Sequence, residues 1–105
     1  MQQNLELFDG GASTRLVLPT EITHAQAAGC LNLLLTTART ENRGQIVVDA
    51  AQLTRFDSSA LAVLLECRRE MLKTGQRFML SGTPARLAEL AQLYGVTELF
   101  DANSA

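Results

Sequence analysis

An α/β fold follows from three features of this 105-residue chain. Short apolar runs alternate with segments whose apolar residues recur at helical spacing, the most β-branched run stands between two such segments, and Gly or Pro marks most of the boundaries. The expected order is β-β-α-β-α-β-α, a mixed sheet of about four to five strands with the helices on one side, because strands separated by single helices pair in parallel through crossovers.

The elements follow in order. Leu5-Glu6-Leu7-Phe8 and Arg15-Leu16-Val17-Leu18 are short apolar runs separated by Asp9-Gly10-Gly11, which supplies the positive φ angles of a tight hairpin, so they are expected to form an opening antiparallel pair. After Pro19, Thr23-His24-Ala25-Gln26 has the form of a capping box. Ala27, Cys30, Leu31, Leu34, Leu35 and Ala38 then give one helical face running to about Arg39. Gln45-Ile46-Val47-Val48-Asp49 reads as a central strand buried on both faces. Ser58 to Thr74 forms the second helix, stopped by Gly75, and Arg77-Phe78-Met79-Leu80 the next strand. In the third helix Thr83 is the expected cap and Pro84 suits the first turn. Leu87, Leu90, Ala91 and Tyr94 line one side, and Gly95 ends it. Val96 to Phe100 packs back as a last short element.

With 47% apolar residues the chain fills one modest core, so a single domain with its core at about residues 5–100 is expected. The net charge of −2 and pI near 5.3 give no field to gather phosphate backbones, so nucleic acid is not an expected partner. The first residues carry neither the basic stretch nor the apolar run of a secretory signal, and no window approaches the roughly 18 apolar residues of a spanning helix. A cytoplasmic protein without direct membrane insertion is expected, with Cys30 and Cys67 as small buried thiols and not a disulfide.

Catalytic chemistry is poorly supplied. His24, the single histidine, lies far along the chain from Ser58 and Ser59, and a serine hydrolase would need an orienting acid and an oxyanion site besides. One His and two separated Cys make no zinc set, and Gly10-Gly11 lacks the residues of a phosphate loop, so no cofactor or metal is expected. The one stretch with a mechanism is Phe56-Asp57-Ser58-Ser59-Ala60-Leu61, where a loop leaving the central strand enters a helix through acidic and hydroxyl side chains. One of Asp57, Ser58 and Ser59 caps the helix. A hydroxyl not used in capping is a candidate for phosphorylation, which would add up to about two negative charges there.

On the second helix, Ala60, Val63, Leu64, Cys67 and Met71 form one apolar stripe opposite Glu66, Arg69, Glu70 and Lys73. Leu61, Leu65 and Leu72, with Arg68 among them, widen the apolar arc to roughly twice the 100° a core needs. Either a neighbouring helix covers these residues or they form a partner-binding patch of apolar anchors with an arginine at the rim.

The chain from Leu5 to about Phe100 resembles the STAS family, shared by anti-sigma factor antagonists and sulfate-transporter tails. The resemblance is strongest from Ile46-Val47-Val48-Asp49 to Phe56-Asp57-Ser58-Ser59-Ala60-Leu61, against a family pattern of Asp, Ser or Thr, a small residue, Gly and an aliphatic residue. Ala60 stands where Gly is usual. Carried over from the anti-sigma antagonists, the phosphoacceptor is Ser58 and the partner an anti-sigma factor kinase. The segments Asp57 to Glu66 and Leu87 to Val96 are more similar to MlaB-like proteins, the small STAS subunits of bacterial phospholipid-trafficking ABC transporters. That resemblance implies binding to the transporter's ATPase subunit near Ser58, placing the chain in the cytoplasm at the inner membrane. The expected partner-binding residues are Asp57, Ser58, Ser59, Leu61, Leu65, Arg68 and Leu72, and the expected catalytic, cofactor and metal residues none.

Overall fold

The computed structural model describes residues 13–41 and 44–100. Three strands, β1 (Ser13–Val17), β3 (Gln45–Asp49) and β5 (Arg77–Ser81), pair in parallel in the order β1-β3-β5. Two-residue strands β2 (Glu21–Ile22) and β4 (Arg55–Phe56) form a second parallel pair. Helices α1 (His24–Glu41), α2 (Ser58–Lys73) and α3 (Ala85–Tyr94) follow β2, β4 and β5, and a 3₁₀ turn spans Thr97–Phe100. The expected hairpin arm Leu5-Phe8 and its Asp9-Gly10-Gly11 turn lie outside the described residues. Among the described residues all strand pairing is parallel.

β3 is the central strand, but it is not buried on both faces. Ile46 and Val48 are fully buried while Gln45, Val47 and Asp49 are only partly covered, the alternation of a sheet with its helices on one side. The expectation from the continuous apolar run thus fails at Val47. The buried side joins Leu16, Ile46, Val48 and Phe78 to Leu34 and Ala38 of α1 and to Ala60, Val63, Leu64, Cys67 and Met71 of α2. α1 and α2 pack side by side over the sheet, and no described helix is long and apolar enough to cross a membrane.

The ends of the helices obey local chemistry. At α1 half of the capping box forms: the Thr23 amide donates to Gln26 Oε1 at 2.8 Å, while the Thr23 hydroxyl donates to that same oxygen at 2.6 Å instead of accepting from the Gln26 amide. α2 and α3 finish alike. Gly75 and Gly95 take φ of 82° and 71°, and the next residues, Gln76 and Val96, donate back to Met71 and Ala91, which satisfies carbonyls the helix leaves open. α3 departs from expectation at its start. Pro84, not Thr83, occupies the capping position and no side chain caps the helix; the Pro84 carbonyl instead accepts from Leu87 and Ala88. Because the helix begins at Ala85, Thr83 falls one residue too early. Tyr94 is 58% exposed and so is not part of the buried side that Leu87 and Ala91 form.

Since β1, β3 and β5 run parallel, their carboxyl ends share one edge, and all three helices start from it. Asp49 braces that edge. Its Oδ1 accepts from the Ala51 amide at 2.9 Å and its Oδ2 from Arg15 at 3.0 Å, which holds the carboxyl below its usual range, chiefly through the Ala51 bond.

Candidate functional site

The carboxyl edge brings the Asp57 region to the surface. β2 and β4 pair with Glu21 opposite Arg55 and Ile22 opposite Phe56, so the two helices that follow enter next to each other. The pairing is too short for any periodicity to reveal. Phe56 and Ile22 point into the core, and Arg86 of α3 lies 4.8 Å from the centre of the Phe56 ring, closing it from outside.

Asp57 is the cap of α2. Its backbone is extended (φ −130°, ψ −165°) and Oδ1 accepts from the Ser59 amide at 2.8 Å. Oδ2 reaches the other helix, accepting from the His24 amide at 3.3 Å. One exposed carboxylate therefore serves the first turns of both α1 and α2. The Ser59 amide is the main reason the Asp57 carboxyl sits below its usual range; the Ser59 hydroxyl, the His24 amide and the His24 charge act in the same sense.

This resolves which of the three polar residues caps. Ser59, half-buried, gives its backbone amide to Asp57, whereas Ser58 is exposed and its hydroxyl has no partner among the described residues. His24 is exposed and supplies Asp57 with a backbone amide; it makes no hydrogen bond to Ser58 or Ser59. No group of three or more His, Cys, Asp or Glu gathers as a metal site among the described residues. The Cys67 thiol is pushed up to about 12 by burial and the Cys30 thiol is also raised, so both are poor nucleophiles at neutral pH.

The wide apolar arc of α2 divides. Leu61 is 3% exposed and belongs to the core, so it is withdrawn from the expected partner patch. At about 100° per residue it stands nearer the buried stripe than Leu72 or Leu65 does, and those two remain partly exposed. Leu65, Arg68 and Leu72 line an open groove of about 480 Å³ together with Ala62, Arg69, Lys73 and Glu98. A second groove of about 350 Å³ runs between α1 and α2, lined by Ala27, Ala28, Leu31, Ser59, Ala62, Val63 and Glu66. Ala62 and Glu66 form the ridge between them. The expected site residues are thus split: Ser59 lies in the α1/α2 groove, Leu65, Arg68 and Leu72 in the other, and Asp57 and Ser58 at the helix start. The α1/α2 groove was missed in the sequence, although Ala27, Ala28 and Ala62 are small residues that cannot fill the space between two packed helices.

A pH dependence follows from the capping. A carboxyl whose folded pKa is lowered stabilises the fold above its unfolded value, about 3.9, and that contribution disappears as the pH falls through the folded value. Asp57→Asn is therefore expected to melt below the wild type at pH 7, with the gap closing under about pH 4. Thermal melts from pH 7 to pH 2 check this, and a constant gap across that range would assign the effect to something other than the charge.

A family model described as "Mlab, STAS domain" matches residues 8–101. No curated protein matches the chain. Among solved structures the fold is similar to that of the anti-sigma factor antagonist SpoIIAA in its unphosphorylated form, with a TM-score of 0.68 at 18% identity, covering 84% of this chain and 76% of that one.

Proposed function

Since the chain belongs to the Mlab STAS domain family, we propose that it is a non-enzymatic regulatory subunit that binds the ATPase of a phospholipid-trafficking ABC transporter through the start of α2. It works in the cytoplasm at the inner membrane and leaves the ATP chemistry to its partner. The observation that carries this reading is the division of labour at the helix start: Asp57 holds the amides, which leaves the Ser58 hydroxyl exposed beside the two grooves of α2. Such a surface suits docking, with apolar walls and a polar rim.

Affinity purification from the native host tests the reading. Recovery of an ABC ATPase is expected, and recovery of a sigma-regulating kinase without any ATPase would overturn it. Leu65→Glu is expected to leave the domain folded, because Leu65 is only partly buried, while weakening the complex at least tenfold, a loss of about 1.4 kcal/mol or more. Circular dichroism of the variant together with its recovery of the ATPase separates the two effects.

The free Ser58 hydroxyl favours a second reading, an anti-sigma factor antagonist switched by a partner kinase at that residue. Phosphorylation transfers the γ-phosphoryl group of ATP to Ser58 Oγ, with ADP leaving and the hydroxyl proton released. Intact-mass analysis of protein from the native host distinguishes this, since a phosphate that survives Ser58→Ala would place the modification elsewhere.

A further inference from the structure

We propose that the groove between α1 and α2 is the seat of the partner, and that it takes a segment with an apolar anchor flanked on both sides by basic residues. The inference rests on the docking function proposed above and specifies the chemistry of what docks. The groove's walls are Ala27, Ala28 and Leu31 from α1 and Ala62 and Val63 from α2, which leave about 350 Å³ of open apolar space. That is room for bulky apolar side chains, in the size range of ordinary binding clefts.

The charges at the ends of the groove select its occupant. Glu66 is the one ionised residue among the described residues of its lining, and Asp57 stands at the other end, beside Ser59 of the lining. Nine residues of helix put these carboxylates roughly 13 Å apart along α2. Among the described residues no cation belongs to the groove walls. The side chains next to the two acids are exposed: Arg69, which pairs with Glu66 at 2.6 and 2.8 Å, and His24, whose backbone amide donates to Asp57. An exposed pair three residues apart on a helix is weak and exchangeable, so Glu66 can pass from Arg69 to an incoming base. Asp57 keeps accepting capacity too, because a carboxylate offers more sites than its two amide bonds to Ser59 and His24 use.

The other groove mixes both signs. Arg68, Arg69 and Lys73 line it with Glu66 and Glu98, and Lys73 pairs with Glu70 at 3.3 Å. A segment with basic flanks meets three cationic side chains there that the described lining of the α1/α2 groove lacks, which favours the α1/α2 side.

In-cell photocrosslinking in the native host tests the proposal. p-Benzoylphenylalanine replaces Ala28, exposed on the α1/α2 groove, or Lys73, exposed on the other one, and mass spectrometry identifies the captured peptide. The expected result is capture from position 28 of a peptide with an apolar residue between basic ones. Its yield should fall about tenfold when Glu66→Arg is added and less with Glu66→Gln, at unchanged melting temperature. Capture from position 73 alone would overturn the groove assignment and leave the docking function standing. Capture at position 28 of a peptide without basic flanks, or a yield indifferent to Glu66→Arg, would overturn the occupant. No specific capture from either position would overturn the docking function as well.

Discussion

Leu61→Glu is expected to abolish folding, whereas Leu65→Glu, one turn further along the same helix, leaves the domain intact. Leu61 is 3% exposed within the core that α2 shares with the sheet. A carboxylate there is taken out of water, and burying a charge costs several kcal/mol even after the group shifts its pKa and the site relaxes. A domain of this size has about 5–15 kcal/mol in total, so most of its stability is forfeited. Far-UV circular dichroism and urea titration of the two variants decide it. A folded Leu61→Glu would return this residue to the surface, and an unfolded Leu65→Glu would remove that side chain from the proposed interface.

The second large effect is at Gly82. Its φ is +66°, and a Cβ built there would meet Ala51 Cβ at 2.9 Å, its amide nitrogen at 3.0 Å and its Cα at 3.1 Å. Two penalties combine in Gly82→Ala: the left-handed backbone, about 1–2 kcal/mol for a residue with a side chain, and contact with the backbone of another loop. Together they should lower stability by roughly 2–4 kcal/mol. Gly95→Ala provides the comparison, because its φ is +71° but its Cβ would meet nothing within 4 Å, so about 1 kcal/mol is expected. Ala51→Gly in the Gly82→Ala background should recover only part of the loss, since the amide nitrogen and Cα of residue 51 remain. Equal losses at Gly82 and Gly95 in urea titrations would show that the two loops move apart without cost.

The helices and the central position of β3 were legible in the sequence because both rest on strong local signals. Gly75 and Gly95 supply positive φ at helix ends, and the spacing of Ala60, Val63, Leu64, Cys67 and Met71 fixes the buried side of α2. β2 and β4 were not legible: two residues carry no period, and only their pairing across 34 positions makes them strands. Thr83 and Pro84 compete for one capping position, and which of them holds it depends on where the chain turns after Gly82. The candidate site was half legible. An acid and two hydroxyls at a helix start announced a cap, but that Asp57 provides it, and for two helices, required knowing that α1 begins next door. Leu61, Leu65 and Leu72 are alike as residue types, so what separates them is the neighbouring surface and not their own chemistry.

The double duty of Asp57 changes how mutational data on this surface must be interpreted. An alanine scan for partner affinity would score Asp57 as a hot spot even if no atom of the partner touched it, since its loss frays two helix starts and with them both walls of the α1/α2 groove. Ser58, which supports no neighbour, reports on the contact itself. Double-mutant cycles anchored on Ser58 would therefore measure recognition, whereas cycles anchored on Asp57 would mix recognition with the shape of the groove.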